Sequence, residues 1–267
     1  MKYKMVASDY DDTLFPRSHV IDEYTLDTIN RYVKNGGKFV ISTGRMFKSI
    51  SKIAKEMGLH GDIISYQGAL IKNLDSEETL FSQGIDTESA VEYIDFMKRY
   101  PLVVQVYADD ELYVEEENPY SVGYAKFCGV DLHVIGDFKR FFAGGGTINK
   151  IYCSMDSGIA QTVREAAAEK FCKTLLVSSG KPYNVEAVSS KASKGRAIEI
   201  LAKRYGIGLD EVMAFGDNLN DMEMIETAGF GVAVGNAVDA LKERADYVAE
   251  SCDADGVART IEKFCLR

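Results

Sequence analysis

The chain has 267 residues, of which 46% are hydrophobic, so it can bury a full core and form more than one domain. Its formal net charge is −10. This acidity argues against a nucleic-acid-binding protein, which usually needs a basic face.

Cysteine usage and hydropathy predict a cytoplasmic protein. The five cysteines are scattered, odd in number and never in a C-x-x-C pair, so they indicate neither a disulfide framework nor a zinc site. No apolar run approaches the roughly 20 residues that span a bilayer, and acid at residue 9 does not fit a signal peptide. We therefore expect no membrane partner and no nucleic-acid partner.

The first strong feature is an acidic cluster behind a predicted strand. Residues 3–7 predict a strand, and Asp9, Asp11 and Asp12 follow it closely. Clustered carboxylates repel one another unless a cation or a shared proton relieves them. Mg²⁺ would suit the cluster, because it prefers oxygen ligands. A solvated acidic turn is the alternative.

The rest of the first third alternates predicted helices and strands. Strands are predicted over residues 38–42 and 62–66, each after a segment with apolar residues at helical spacing. The two stripes, closed by Gly36-Gly37 and by Gly58, are Leu26, Ile29 and Val33, and Ile50, Ile53, Ala54 and Met57. This β-α-β-α-β order predicts a parallel sheet with right-handed crossovers.

The middle of the chain has a different pattern, with longer and more irregular apolar runs separated by helix-like segments. Strands in hairpins together with two helices predict an inserted α+β domain over residues 85–183. Residues 1–84 and 184–267 then form the core. The apolar runs are 102–107, 112–114, 147–155 and 174–179, and the helix-like segments are 88–99 and 159–171.

The last third returns to the first pattern and ends one of its strands in acid. Asp217 and Asp221 follow an apolar run at residues 212–215, as Asp9 follows the first strand. Ligands of parallel sheets bind beyond the carboxyl ends of the strands, so we expect the two acidic strand ends to meet. The other predicted elements are a helix with Ile198, Leu201, Ala202 and Tyr205, a strand at 230–234, and a last helix with Val257, Ile261 and Phe264.

Two further polar groups belong to the same edge. The second strand ends in Ser42-Thr43-Gly44-Arg45 before a predicted helix, whose N-terminal N–H groups attract anions. Ser42 and Thr43 serving only as a helix cap is the alternative. Lys194 starts the helix that re-enters the core, where it opposes the helix dipole unless a carboxylate or phosphate lies nearby.

Together these groups suit phosphoryl transfer to a carboxylate. A phosphoester needs its oxygens neutralised, a nucleophile in line and an acid for the leaving oxygen. Asp9 can attack phosphorus and form an aspartyl-phosphate. Asp11 can protonate the leaving alcohol and then deprotonate the water that hydrolyses the intermediate.

Four motifs occur in order along the chain: D-x-D-x-T at residues 9–13, Thr43-Gly44-Arg45, Lys194-Gly195, and G-D-x-x-N-D at residues 216–221. In residues and order they resemble the haloacid dehalogenase-like (HAD) superfamily, and within it the Cof-like, subclass IIB phosphatases. The resemblance implies an α/β fold with a Rossmann-like parallel-sheet core, an inserted α+β cap domain and a Mg²⁺ cofactor.

The resemblance also implies a role for each matching residue. Asp9 would be nucleophile and metal ligand, Asp11 would be acid/base and bind the metal through its main-chain carbonyl, and Asp217 would be a direct metal ligand. Asp221 would support the metal site from behind. The residues implied to hold the phosphoryl group are Tyr10 through its backbone N–H, Thr43, Gly44, Arg45, Lys194 and Asn220.

Two positions depart from the motifs that the family usually shows. Asp12 stands where Gly is frequent, and its charge lies next to Asp11. Gln67-Gly68-Ala69 follows the third predicted strand where the family frequently has Asn-Gly-Ala, in a loop that is implied to contact the substrate.

The sequence thus predicts a Mg²⁺-dependent phosphatase for a small phosphorylated metabolite, such as a sugar phosphate or a phosphorylated cofactor. A phosphomutase or other phosphotransferase with the same nucleophile is one alternative, in which a second hydroxyl replaces water as the attacking group. A non-enzymatic, receiver-like regulatory protein that carries a lasting phospho-aspartate is the other. The pattern makes no prediction of the oligomeric state.

Overall fold

A computed structural model describes residues 1–17 and 21–266 and contains two β-sheets. In chain order the strands of these residues are β1 (Met5–Ser8), β2 (Lys38–Ser42), β3 (Asp62–Ser65), β4 (Leu70–Asn73), β5 (Thr79–Ser82), β6 (Leu102–Ala108), β7 (Glu111–Val114), β8 (Leu132–Val134), β9 (Ile148–Met155), β10 (Leu175–Ser178), β11 (Asn184–Ser189), β12 (Val212–Gly216), β13 (Phe230–Ala233) and β14 (Tyr247–Val248). The α-helices are α1 (Glu23–Lys34), α2 (Phe47–Glu56), α3 (Thr87–Met97), α4 (Pro119–Cys128), α5 (Phe138–Phe142), α6 (Ser157–Phe171), α7 (Lys194–Tyr205), α8 (Met222–Thr227), α9 (Asp239–Lys242) and α10 (Gly256–Cys265).

The core sheet has eight strands in the order β14-β13-β12-β1-β2-β3-β4-β5. The pairs from β14 to β3 are parallel, and β4 and β5 add an antiparallel edge. Every residue of β1, β3 and β12 is buried, which is typical of parallel strands covered on both faces. The predicted α/β fold with a parallel-sheet core is therefore confirmed.

The register of this sheet brings the acidic strand ends together. Ser8 of β1 lies opposite Phe215 of β12 on one side and Ile41 of β2 on the other. The residues that follow these three strands therefore emerge at the same edge. They are the acidic segment after residue 8, the segment after residue 42 and the acidic segment after residue 216.

The second sheet has six strands in the order β10-β11-β9-β6-β7-β8. All of its pairs are antiparallel except β7 with β8. The sheet includes β11, which pairs with β9 although residues 184–189 were assigned to the core from the sequence. The limits of the inserted domain at 85 and 183 stay a prediction, whereas the second sheet continues to Ser189.

One local prediction differs from the structure, and several short elements were not predicted. The buried side of α1 includes Thr25, Thr28 and Tyr32, whereas Val33 is 44% exposed. The Tyr32 hydroxyl donates to the carbonyl of Tyr3 (3.1 Å), so a polar contact joins this side of α1 to the segment before β1. The hairpin β4-β5 and the helices α4 and α5 were not predicted, because their short segments show no clear apolar period.

The five cysteines are all unpaired. Within residues 1–17 and 21–266, no helix combines the length and the apolar character that a bilayer crossing requires.

Candidate active site

Three carboxylates meet where β1 and β12 end. Asp9 follows β1, and Asp217 and Asp221 follow β12. One oxygen from each lies within 4.8 Å of the other two. Asp9 is only 5% exposed, so the alternative of a solvated acidic turn is wrong for this residue.

Lys194 places a cation inside this cluster. It is the first residue of α7, and its ammonium group donates to Asp9 Oδ1 (2.5 Å) and to Asp221 Oδ1 (2.6 Å). The Lys194 side chain is fully buried. The two carboxylates offset the unfavourable helix dipole and raise the pKa of the lysine far above its ordinary value, despite the opposing effect of burial.

Asp221 organises the loop from behind. Its second oxygen accepts the backbone N–H groups of Asp217 (3.0 Å) and Asn218 (3.1 Å), while its first accepts from Lys194. Gly216 permits this closeness, because a Cβ at that position would lie 2.4 Å from the Asp221 Cβ. The G-D-x-x-N-D spacing thus lets one carboxylate orient both Lys194 and the backbone of Asp217.

Negative charge remains in excess at the cluster. Burial raises the pKa of Asp9 well above its ordinary value, Lys194 opposes the rise, and the carboxylates of Asp221, Asp217 and Asp11 add to it. Burial and Asp221 likewise raise the pKa of Asp217 to about 7. A site that disfavours its own carboxylate charge in this way is suited to a cation.

Asp11 turns away from the cluster toward Arg45. The guanidinium donates from Nε to one Asp11 oxygen (2.8 Å) and from a terminal nitrogen to the other (2.6 Å), and it lies 5.0 Å from the centre of the Tyr10 ring. Bidentate pairs of this kind fix geometry as well as charge. Arg45, expected to contact the phosphoryl group, is therefore directed at the expected acid/base.

The Thr43-Gly44 segment is a loop, not a helix end. The Thr43 hydroxyl accepts the backbone N–H of Arg45 (3.2 Å), and α2 begins only at Phe47. The N-cap of α2 is Met46, so Ser42 and Thr43 do not cap it. The N–H of Lys48 in the first turn donates to Asp110 (3.1 Å) of the second sheet's β6–β7 turn. Any anion at Gly44 would meet loop N–H groups, not the helix terminus.

Gln67 links two of the motifs, a role that the sequence did not predict although it implied that this loop contacts the substrate. Its Oε1 accepts from Asn220 Nδ2 (3.2 Å), and its amide nitrogen lies against Gly44, where a Cβ would approach it to 2.5 Å. Both Tyr66 and Gln67 have positive φ angles, which aim this side chain into the site. The departure from the usual asparagine was the signal in the sequence, since a longer amide reaches across the loop.

Gly68 positions Lys194 through direct backbone contact. Its φ is +96°, and a Cβ there would lie 2.1 Å from the carbonyl oxygen of Ser193 and 2.9 Å from the nitrogen of Lys194. The Gly68→Ala variant is expected to lower the free energy of unfolding by about 2–5 kcal/mol, because the strain of a positive φ adds to the overlap with the Ser193 carbonyl. It should also lower kcat, because the overlap displaces Lys194. Urea denaturation and phosphate release measure the two effects.

Gly58→Ala is the matched control for that substitution. Gly58 also has a positive φ (+68°), but within the described chain no neighbouring heavy atom lies within 4 Å of its added Cβ. It should lose only about 1–2 kcal/mol of stability and keep kcat. Equal losses in the two variants would show that the contact with Ser193 has no role.

A family model of haloacid dehalogenase-like hydrolases matches residues 6–261, nearly the whole chain. The chain belongs to the haloacid dehalogenase-like hydrolases. The 5-amino-6-(5-phospho-D-ribitylamino)uracil phosphatase YwtE of Bacillus subtilis is 28% identical, over 98% of each chain. A crystal structure from Thermotoga maritima is also 28% identical and superposes with a TM-score of 0.84, covering 99% of this chain and 100% of the other.

The fold of this hydrolase also matches a solved HAD subclass IIB sugar phosphatase, BT4131, with a TM-score of 0.85 and 23% identity over 99% of this chain and 100% of the other. These findings confirm the family, the fold class and the assignment as an enzyme of the phosphatase type. The alternative of a non-enzymatic receiver-like protein is wrong.

A cavity of about 670 Å³ separates the acidic edge of this hydrolase from the second sheet. The core side contributes the acidic segment, Thr43, Gly44, Arg45 and Gln67. The opposite side carries α4 and strands β9 and β11, with aromatic side chains and an ion pair between Lys150 and Glu186. Sequence reasoning missed both of these charged residues. The sequence did carry a sign of them, because each is the single charged residue in a strand that is otherwise apolar or neutral.

Proposed function

We propose that this hydrolase removes the phosphoryl group from a small phosphorylated metabolite, in a Mg²⁺-dependent reaction that passes through an aspartyl-phosphate at Asp9. The observation that carries the proposal is the position of Asp9. Its buried carboxylate contacts Lys194 at 2.5 Å and shares a 4.8 Å cluster with Asp217 and Asp221, at the floor of a cavity.

The donor set fits Mg²⁺. Mg²⁺ prefers oxygen ligands and is usually held by one or two carboxylates, with waters and substrate phosphate completing the shell. Asp9 and Asp217 would hold the ion, together with the main-chain carbonyl of Asp11. Asp221 would support it indirectly, because both of its oxygens already accept hydrogen bonds. When bound, the ion supplies positive charge that neutralises phosphoryl oxygens.

The chain's own groups then carry the reaction. An Asp9 oxygen attacks phosphorus while the bond to the leaving oxygen breaks, and Asp11 gives a proton to that oxygen. Asp11 next takes a proton from the water that attacks the aspartyl-phosphate, which releases phosphate and restores Asp9. For both steps one Asp11 oxygen has to leave Arg45, since the guanidinium holds both oxygens in this structure.

The phosphoryl oxygens would be held by donors around Asp9. They are the backbone N–H of Tyr10, the Thr43 hydroxyl, the Gly44 N–H, the Asn220 amide and the Lys194 ammonium. Thr43 and Gly44 line the cavity together with Asn220, and Lys194 already lies against Asp9. Donors fixed in advance around the developing charge lower the barrier without reorganisation.

The size and cover of the cavity support a small-molecule substrate. Its volume of about 670 Å³ lies within the range of small-molecule sites, and the second sheet covers it opposite Asp9. The Bacillus subtilis relative is named for a phosphorylated small molecule. We expect the enzyme to act in the cytoplasm on such a metabolite, without a nucleic-acid or membrane partner.

The charges around the cavity favour a hydrolase over a phosphomutase. A mutase has to hold a second phosphoryl group, which calls for cations free of acidic partners. In the described part of the chain, the lysines and arginine that line the cavity are each paired: Arg45 with Asp11, Lys150 with Glu186, and Lys181 with Asp12. Water is therefore the better acceptor for the phosphoryl group.

Phosphate release over a metabolite panel, with and without Mg²⁺, tests the proposal. We expect release of free phosphate from at least one small phosphomonoester, loss of release on chelation, and recovery when Mg²⁺ is restored. The proposal is wrong if no phosphomonoester is hydrolysed or if chelation leaves the rate unchanged.

Stability should respond to Mg²⁺ more strongly at high pH. The pKa of Asp217 is raised from 3.8 to about 7. Between these two pH values the metal-free folded protein therefore keeps a proton that the unfolded chain has already released. Stability is therefore lost as the pH rises through this window, and a bound cation offsets the loss. Thermal unfolding should show a larger Mg²⁺-dependent rise in Tm near about pH 8 than near about pH 5.5.

Asp217→Asn is the control for this pH effect. The amide does not titrate, so its Mg²⁺-dependent rise in Tm should be small and should vary less between the two pH values. An equal rise in the unmodified protein at both pH values would contradict the prediction.

A further inference from the structure

Lys150 and Glu186 form a buried ion pair on the side of the cavity opposite Asp9. Lys150 lies on β9 and is 3% exposed. Its ammonium reaches from the second sheet to the core, where it donates to the carbonyl of Gly44 (2.9 Å), and it approaches Glu186 Oε2 at 3.4 Å. Glu186 is 8% exposed on β11. The rings of Tyr107 and Tyr152 lie 4.9 and 5.7 Å from the ammonium and hold it in place.

The contacts between the two charged groups are long, so both groups can form further hydrogen bonds with a ligand in the cavity. Strong ammonium–carboxylate bonds are about 2.7–2.9 Å long, whereas Glu186 has Lys150 at 3.4 Å and Asn184 at 3.4 Å. Burying two charges is unfavourable unless good geometry and further hydrogen bonds compensate for the lost water. A ligand donor at Glu186 and a ligand acceptor at Lys150 would supply that compensation.

We propose that the Lys150–Glu186 pair recognises the leaving group, by binding an uncharged hydroxyl close to the phosphoester. This inference rests on the proposed phosphatase function. A hydroxyl donates one hydrogen bond and accepts others, so it can satisfy Glu186 and Lys150 together. The hydroxyl has to lie near the ester, because Lys150 already contacts Gly44, in the loop proposed to hold the phosphoryl group.

The same pair should reject two other kinds of leaving group. An alkyl group would exclude water from both charges and add no hydrogen bond to the long contacts around Glu186, which is unfavourable. A carboxylate or second phosphate would meet Lys150 but would be repelled by Glu186. The pair therefore selects neutral polyol phosphates over alkyl phosphates and over phosphorylated acids.

Three substrates of equal carbon number test this selection: glycerol phosphate, propyl phosphate and phosphoglycerate. For the unmodified enzyme, kcat/KM for glycerol phosphate should exceed that for each of the others by about ten- to a hundredfold, the usual effect of hydrogen bonds to charged groups. Equal kcat/KM values for all three would overturn the inference while leaving the phosphatase function in place. Failure to hydrolyse any phosphomonoester would overturn both.

Glu186→Gln is the decisive variant, because we expect it to raise kcat/KM for one of the three substrates. The variant keeps the side-chain shape and frees the charge of Lys150. Its kcat/KM should fall about tenfold for glycerol phosphate, stay within about twofold for propyl phosphate and rise for phosphoglycerate. Lys150→Met should lower the value for glycerol phosphate without raising that for phosphoglycerate. Unchanged substrate ratios in Glu186→Gln would overturn the assignment.

A surface pair on the same insert provides the matched control. Lys170 on α6 and Glu92 on α3 lie 2.9 Å apart, with side chains that are 38% and 60% exposed. Lys170→Met and Glu92→Gln make the same charge changes and should leave all three substrate ratios as they are. If these variants shift the ratios as Glu186→Gln does, general electrostatics would explain the selection and the inference would fail.

Discussion

The Asp9→Asn variant is expected to lose phosphate release by about 10⁴-fold or more, the usual effect of removing a nucleophile. An amide cannot attack phosphorus as a carboxylate does, and one charge disappears from the proposed metal site. Folding should survive, because the side chain keeps its shape and Lys194 keeps its contact with Asp221 at 2.6 Å. Steady-state phosphate release and calorimetric unfolding measure the two effects.

Stability gives this variant a second, independent signature. Burial and three carboxylates disfavour the charged form of Asp9 and raise its pKa, so replacing it removes a source of repulsion. We expect the metal-free variant to unfold at a temperature equal to or above that of the unmodified protein. Asp239→Asn, at a side chain that is 96% exposed, should change neither quantity. Substantial turnover in Asp9→Asn would refute the assigned nucleophile.

The parallel core could be predicted because its signals are local in sequence. The strand predicted over residues 38–42 is β2 residue for residue, since a short apolar run between a glycine pair and a polar segment has clear limits. Topology then fixes the rest. Strands that are parallel and adjacent, such as β1 and β12, end at the same edge, so acids that follow each of them have to converge.

The missing parts of the site are contacts between segments far apart in sequence. Arg45 pairs with Asp11, 34 residues away, and Lys150 reaches Gly44, 106 residues away. Such contacts depend on where the second sheet lies over the core, and no periodicity encodes that placement. The stripe predicted for α1 is right at buried Ile29 but wrong at exposed Val33, because the buried side also includes Thr25 and Thr28, which carry no hydrophobic signal.

The positions of Arg45 and Lys150 suggest how the two sheets act on one loop. Arg45 holds Asp11 from the core side, and Lys150 holds the carbonyl of Gly44 from the second sheet. These groups are joined by the single peptide between Gly44 and Arg45, whose N–H donates to the Thr43 hydroxyl. A displacement of Lys150 would therefore act on the backbone of Arg45, the residue whose guanidinium restrains the proposed acid/base.

The Lys194→Met variant is expected to be damaged in both activity and folding. Removing a donor to the developing phosphoryl charge should lower kcat by about 10²–10³-fold. The loss of the ammonium also leaves Asp9 and Asp221 buried without their cation, which should lower the free energy of unfolding by about 3–5 kcal/mol. Phosphate release and urea denaturation give the two values, and Lys191→Met, at an exposed position three residues before Lys194, is the control.

The two losses can be separated by a second substitution. Asp221→Asn in the Lys194→Met background removes one of the two uncompensated carboxylates, so stability should recover in part while activity does not. Lower pH should act in the same direction on the single variant, because a protonated carboxyl needs no cation. If Lys194→Met unfolds like the unmodified protein and hydrolyses at its rate, the buried ammonium neither balances the cluster nor binds the phosphoryl group.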